Sequence, residues 1–256
     1  MNTINLSFED RVAYLELNRP ESINAMNEEM LRELLAALQE VKESSADVLI
    51  LSGSGKGFSA GGDIKTMLNN MDEAAFSPVM KVISDIALTL YTLPKLTISA
   101  IHGPAAGLGF SLALATDYII AHQTATLSMN FIGIGLIPDG GGHFFLSRRL
   151  GEIKAKRLIW NGERLTAESA YDMGLVDRLV RGDIKSEVRN KVGEWLEKPV
   201  GAMIETKLIY AHQHKEMLEA MLKKEHDAQF KMRKTNDHQE GIRAFLDKRQ
   251  PKFTGK

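Results

Sequence analysis

Three short apolar runs punctuate the first half of the chain, and each is followed by a cluster of glycines. The runs are Val48-Leu49-Ile50-Leu51, Leu96-Thr97-Ile98-Ser99-Ala100-Ile101 and Asp117-Tyr118-Ile119-Ile120-Ala121; the clusters are Gly53 to Gly62, Gly103 to Gly109 and Gly133 to Gly142. A short continuous apolar run predicts a strand covered on both faces. Glycines at strand ends lie where α/β proteins place their sites. Between the runs, Met26, Met30, Leu34, Leu35, Leu38 and Val41 recur at spacings of three and four, one face of a helix. Ile83 to Leu93 reads as a helix closed by Pro94, and Leu112 to Ala115 as helical. Ahead of them, Ile4 to Phe8 and Val12 to Leu17 alternate about the polar turn Glu9-Asp10-Arg11, which predicts an antiparallel hairpin. Strand and helix alternate throughout, so the body is α/β with a largely buried sheet.

From Ile184 the texture changes. Segments 184–197, 200–214, 215–234 and 238–248 are charged and helical in propensity, with no strand signal. They predict a helical carboxy-terminal region packed on the body or on another subunit. We divide the chain at 1–190 and 191–256, with no Pro/Gly/Ser-rich linker to make the second part independently mobile.

Composition removes whole classes of chemistry. The 256 residues hold 32 Lys+Arg against 33 Asp+Glu and no cysteine. Thiolate metal sites, iron–sulfur clusters and cysteine nucleophiles are excluded, and a nucleic-acid partner would need a basic excess. His102, His122 and His143 are too scattered for a zinc motif, while His212 and His214 fall on different sides of a helix. No metal is expected. No run approaches the ~18 apolar residues of a membrane span, and the amino terminus lacks a signal-peptide pattern. The expectation is a soluble cytoplasmic protein.

The glycine loops fail as phosphate motifs. Gly55-Lys56 is followed by Gly57 rather than Ser or Thr, and neither Gly107-Leu108-Gly109 nor Gly133-Ile134-Gly135 has the third glycine of a dinucleotide fingerprint. Gly57-Phe58-Ser59-Ala60-Gly61 matches the nucleophile elbow G-x-S-x-G. An elbow must leave a strand directly and enter a helix directly, whereas Ser52 to Lys56 intervene and Gly62-Asp63 follow. The candidate triad histidines His212, His214, His226 and His238 all fall on polar helices, where a solvated surface histidine is expected. The loop makes better sense as a source of backbone donors. Ala60, Gly61 and Gly62 allow close approach, and Asp63 is a candidate N-cap for a following helix. Ala105 to Gly109 likewise precede a helix. Two N–H groups converging on one carbonyl oxygen form an oxyanion hole.

These blocks, in this order, resemble the crotonase superfamily, the enoyl-CoA hydratases and isomerases. Asn18-Arg19-Pro20-Glu21 with Asn24-Ala25-Met26 is similar to its first stretch, and Phe58 to Lys65 to its most diagnostic block. Ala105 to Gly109, Ile134 to Gly142, Leu165 to Ala170 with Gly174-Leu175-Val176, and the tail from Phe245 follow. The resemblance implies a crotonase-like spiral of ββα units with a helical trimerisation region. It implies an acyl-CoA thioester as substrate, with coenzyme A entering as part of it and no separate cofactor, and a homotrimer or dimer of trimers. The oxyanion donors fall on Gly62 and Leu108. Lys56, Phe58, Ser59, Ala60, Gly61, Asp63 and Ile64 would line the adenine and pantetheine path, beside Gly107 and Gly109. Lys252 is a candidate partner for a CoA phosphate, or a solvated tail lysine.

One departure bears on mechanism. The family's hydratases carry two glutamates, and the matching positions here are Ser111 and Phe131. Asp139, in Leu136-Ile137-Pro138-Asp139-Gly140-Gly141-Gly142, remains. It reads as an acid/base like that of the family's single-carboxylate isomerases, as an N-cap for a helix from Gly141 to Leu150, or as a nucleophile. Phe131, Ile132, Ile134, Phe144 and Phe145 are expected to dry the site around it. Residues 64–80, with Lys65, Met67, Met71 and Met80, read as a lid over the acyl chain or as core.

Overall fold

The computed structural model describes residues 1–64 and 73–256; Lys65, Met67 and Met71 of the expected lid lie outside the described residues. Strands β1 (Ile4–Glu9) and β2 (Val12–Leu17) form the expected hairpin, with Ile4 opposite Leu17. Strands β3 (Val48–Gly53), β4 (Leu96–Ile101), β6 (Tyr118–His122) and β9 (Arg178–Val180) continue the sheet in parallel, giving the order β1-β2-β3-β4-β6-β9. A smaller sheet orders β5 (Pro104–Ala106), β7 (Thr126–Ser128) and β8 (Arg164–Thr166) side by side. Two isolated bridges, Met26 with Gly62 and Ser59 with Ala105, extend that second layer.

The chain therefore winds as a spiral. Each circuit places a strand in the large sheet, a short extended segment in the small layer, and then a helix. The circuits are β2, Met26 and α1 (Glu28–Glu43); β3, Ser59 to Gly62 and, further on, α2 (Glu73–Tyr91); β4, β5 and α3 (Leu108–Leu114); and β6, β7 and α4 (Gly142–Leu150). Helices α5 (Glu152–Asn161) and α6 (Ala167–Asp172) complete the body. The helix expected over 83–93 runs back through Pro78 to Glu73 and ends at Tyr91.

Both faces of the large sheet are covered, as the unbroken apolar runs require. Leu49 and Leu51 enter the main core with α1 and α2, while Val48 and Ile50 face a second core with Val188, Val192 and Trp195. Those last three lie on α7 (Ile184–Leu196), so the division drawn at 190/191 falls inside one packed helix. Helix α8 (Val200–Met232) is one continuous element of 33 residues, not the two segments 200–214 and 215–234. Neither Gly nor Pro stands near 214 and 215 to break it. Its Lys207 is buried, with Nζ 2.8 Å from the Asp117 carboxylate and donating to the Lys95 carbonyl at 2.7 Å. Helix α9 (Asn236–Leu246) closes the fold.

Asn24 holds the first glycine loop in shape. It is fully buried at φ +54°, a conformation that asparagine tolerates better than most residues. Its Nδ2 faces the carbonyls of Ser54 and Gly57 at 2.9 Å and of Phe58 at 3.2 Å, while Oδ1 accepts from the Arg19 amide at 2.9 Å. Asn24→Ala leaves buried carbonyls unpaired and strains the backbone. We expect a loss of about 3 kcal/mol, read as a fall in Tm of roughly 6–12 °C by thermal denaturation.

Candidate active site

The segment from Phe58 to Asp63 is an extended thread between two neighbours. On one side Ser59 donates to the Pro104 carbonyl at 3.0 Å and accepts from the Ala106 amide at 2.9 Å. On the other, Gly61 accepts from Met26 at 2.7 Å and Asp63 donates back to Met26 at 3.0 Å. Alternation along an extended backbone turns the intervening Gly62 N–H away from Met26. Gly61, at φ +92°, lies against Ala106 so closely that a side chain would meet the Ala106 carbonyl at 2.7 Å. Leu108 follows directly as the first residue of α3, where its N–H has no carbonyl within the helix to reach. Among the described residues neither Gly62 nor Leu108 gives its amide proton to a backbone carbonyl.

Both residues line one cavity, and Asp139 lines it too. Asp139 does not cap α4. Its side-chain oxygens accept nothing from the helix, which is entered through Gly141 at φ +80°, and only its backbone carbonyl accepts, from Gly142 at 3.1 Å. The capping carboxylate comes from 84 residues away. Glu225 on α8 accepts from the Gly141 amide at 2.8 Å, the His143 amide at 3.1 Å and His143 Nδ1 at 2.8 Å. Gly140 stands at a position that favours glycine, with φ +62°, and it lies against the end of the Leu108 side chain. The turn carrying Asp139 is thereby packed directly on Leu108.

Burial and the nearby Glu225 carboxylate push the Asp139 pKa up to about 8. Its Oδ1 is shielded and has no hydrogen-bond partner, and Oδ2 lies 3.4 Å from Gln229 Nε2. Gln229 is pinned by donating from the same nitrogen to the Ile137 carbonyl at 2.6 Å, which leaves its Oε1 buried and unpaired. The walls are apolar: Met26 and Leu31 from the α1 side, and Phe76, Val79, Met80 and Ile83 from α2.

Of the residues expected at the site, the cavity brings together Gly62, Asp63, Leu108 and Asp139. Asp63 is ion-paired with Arg19 at 2.9 Å, and the helix it was expected to cap lies outside the described residues. Ile64, the last residue described before that stretch, is half-buried and does not line the cavity. Phe58 and Ser59 are buried in the packing, and a side chain at Gly109 would strike Ser59 Cβ at 2.6 Å. Ser59 Oγ donates to the Asn24 carbonyl and accepts from the Gly61 amide, so the nucleophile-elbow reading fails. Lys56 and Ala60 are exposed on the outside of their loop. Gly107 and Phe131 pack against each other, and Ser111 is buried with its Oγ 3.7 Å from Met129 Sδ. Lys252 is exposed on the tail, its amide donating to Glu240.

Two further expectations are corrected. The aromatic wall is not where it was expected, because Phe144 and Phe145 turn toward Tyr91 at ring distances of 5.5 and 5.6 Å, and Ile132 is exposed. His238 is buried rather than solvated, with Nδ1 2.8 Å from the Ile134 carbonyl and its pKa lowered by burial. Met80 belongs to the cavity wall and the main core together. Among the described residues no cluster of His, Asp and Glu is arranged to hold a metal ion, and no helix is long and apolar enough to cross a membrane. Glu225 and Gln229 escaped sequence reasoning, although their positions interrupt an apolar helical stripe.

A spiral of strand, strand and helix, with two amides that meet no backbone carbonyl among the described residues and a buried carboxyl about one cavity, defines a fold and site of the crotonase class. Residues 7–256 match the family described as enoyl-CoA hydratase/isomerase, and the chain belongs to it. It is 52% identical over 242 residues to YhaR of Bacillus subtilis (strain 168), which carries the same family-level description, covering 94% of this chain and 95% of that one. It is 34% identical to the 1,2-epoxyphenylacetyl-CoA isomerase of Escherichia coli (strain K12), with 97% of each covered. The crystal structure of an enoyl-CoA hydratase from Mycobacterium avium subsp. paratuberculosis K-10 superposes with a TM-score of 0.90 at 30% identity, covering 98% of both chains.

The raised pKa has a cost in stability with a defined sign. The folded chain keeps Asp139 protonated up to about 8, whereas a free carboxyl ionises near its ordinary 3.8. Between those values the folded state binds the extra proton, so the contribution is complete at low pH and is lost as pH rises through about 8. Asp139→Asn removes that penalty. The variant is expected to match the wild type near pH 4 and to exceed it by on the order of a few kcal/mol above pH 8, measured by denaturant unfolding across the range.

Proposed function

We propose that the chain isomerises the double bond of an unsaturated acyl-CoA thioester, with Asp139 as the single acid/base and the Gly62 and Leu108 amides as oxyanion donors. The observation that carries this reading is the release of Asp139 from helix capping, in the same cavity as two amides without acceptors. The Asp139 carboxylate takes a proton from C2 of a 3-enoyl thioester. The C2–H electron pair delocalises into a dienolate, whose charge rests on the thioester oxygen between the two N–H groups. The carboxylic acid then returns the proton at C4 and the double bond becomes conjugated. A carboxyl pKa near the working pH suits a group that must both take and give a proton.

Two further observations support isomerisation over hydration. On the family pattern the hydratase glutamates correspond to Ser111 and Phe131; here Ser111 is turned to Met129 and Phe131 to Gly107, so neither orients water. The apolar wall from α2 also keeps water from the dienolate. The isomerase relative from Escherichia coli acts, by its name, on a CoA thioester, which agrees with the substrate class proposed here. The proposal includes assembly as a trimer through the 191–256 region, where Ile209, Tyr210 and Met217 stand exposed on α8.

The test is the absorbance of the conjugated thioester formed from a 3-enoyl-CoA. Asp139→Asn should lower kcat by about 10²–10⁴-fold with KM little changed. For the wild type, kcat/KM should rise with pH and level off above about 8, because the free enzyme must lose the Asp139 proton first. Full activity of Asp139→Asn overturns the reading, and faster hydration of a 2-enoyl-CoA than isomerisation of the 3-enoyl-CoA replaces it with a hydratase.

A further inference from the structure

The turn that carries Asp139 is held from both ends by α8. Glu225 and Gln229 lie four residues apart on α8 and so face the same way. Both are almost completely buried. Their polar atoms reach the two ends of one turn. Gln229 Nε2 donates to the carbonyl of Ile137, two residues before Asp139, and Glu225 accepts from the amides of Gly141 and His143, two and four residues after it.

We infer that Glu225 and Gln229 are the positioning residues of this site, clamping the backbone of the 137–143 turn and fixing which carboxyl oxygen of Asp139 is free to move a proton. The inference deepens the reading of Asp139 as acid/base and rests on it. The Ile137 carbonyl fixes the Gln229 amide with its nitrogen toward the turn, so Gln229 Nε2 can only donate to Asp139 Oδ2. Oδ2 is thereby marked as the acceptor oxygen, and the proton of the acid form is directed to Oδ1, which has no partner in the protein. Glu225 performs the capping that a residue in the position of Asp139 would ordinarily perform. Its three hydrogen bonds keep its charge in place inside the protein, where it opposes ionisation of Asp139.

The other charged groups around the cavity are engaged elsewhere. Glu28 of α1 is paired with Arg32, Asp63 with Arg19, and the Arg233 guanidinium lies 4.8 Å over the Phe76 ring. His143 on α4 faces Glu225, not Asp139. Glu225 is therefore the charge whose removal Asp139 should register.

The experiment titrates Asp139 directly, by 13C NMR of enzyme labelled at aspartate carboxyls, with Asp139→Asn assigning the signal. Kinetics on a 3-enoyl-CoA run in parallel. Glu225→Gln should move the Asp139 titration down by about one pH unit or more, with the rising limb of kcat/KM moving by the same amount. Gln229→Met, which keeps the apolar stem and loses the donor, should lower kcat about tenfold with KM within about twofold, and should move the Asp139 titration slightly upward. Circular dichroism verifies that each variant is folded. If Glu225→Gln does not fold, Gln229→Met decides alone. An unmoved Asp139 titration in folded Glu225→Gln overturns the positioning role of Glu225. An unchanged kcat in Gln229→Met overturns that of Gln229. Wild-type activity in Asp139→Asn instead overturns the acid/base reading, and the NMR titration still reports whether Glu225 sets the state of that carboxyl.

Discussion

The parallel pairing of Ser59 with β5 is the contact on which the site depends. It brings the small-layer segments of two successive circuits of the spiral side by side, and each segment ends at a residue with a spare amide. Gly62 is held beside Met26 by its neighbours, through the Gly61 carbonyl and the Asp63 amide, and gives its own N–H to no backbone carbonyl among the described residues, while Leu108 opens α3 one circuit later. Two donors are adjacent because the spiral repeats, not because a loop was shaped around a ligand. Backbone donors of this kind do not reorganise when charge appears on the ligand, which is the condition for stabilising a transition state more than a ground state. The glycines follow from the same geometry. Gly61 must pass within contact of the Ala106 backbone, where a methyl group would meet the carbonyl at 2.7 Å, and Gly140 takes a φ of +62° that other residues rarely adopt.

The second constraint is the exchange of duties between Asp139 and Glu225. An aspartate just before a helix ordinarily satisfies the helix amides and in doing so stays ionised. Here a glutamate from α8 takes those amides, and Asp139 is left buried beside it with an unpaired oxygen. Desolvation and the like charge act in the same direction, and both favour the protonated form. The arrangement weakens the fold at alkaline pH and gives the site a carboxyl that titrates near neutrality. A buried group that destabilises the folded state, and is retained beside a cavity, fits a functional role better than a packing one.

Much of this was legible in the residues, and the parts that were not share a cause. The continuous apolar runs announced strands covered on both faces, and alternate residues of β3 do enter different cores. The glycine clusters announced backbone chemistry at strand ends, and Gly62, Leu108 and Asp139 do meet at one cavity. What sequence proximity suggested about neighbours was less accurate. Phe144 and Phe145 are close to Asp139 along the chain but turn toward Tyr91, whereas the apolar wall comes from α2, about sixty residues away. Asp139 was an equally good helix cap on local grounds, and only a contact spanning more than eighty residues removes that role. A faint signal was present all the same. Leu218, Leu222, Glu225 and Gln229 recur at spacings of four, three and four on α8, so two polar residues occupy positions that the helix buries. A buried carboxyl on such a stripe must have partners, and searching for its donors would have led to the amides of α4.

The carboxy-terminal helix is consequently part of the site's chemistry as well as part of the fold. The capping carboxylate for the amides at the start of α4 comes from α8. In the folded chain α8 supplies Glu225 to the Gly141 and His143 amides, sets Leu218 beside Gly141, and places Phe230 at 5.5 Å from Phe76, a residue of the cavity wall. The same helix thus supplies the cap, the like charge that adds to burial in raising the Asp139 pKa and, through Gln229 and its C-cap Arg233, part of the cavity lining. Coupling of this kind makes long-range packing a requirement for the acid/base role proposed for Asp139, even though every atom proposed to touch the substrate's reacting carbons comes from the spiral body.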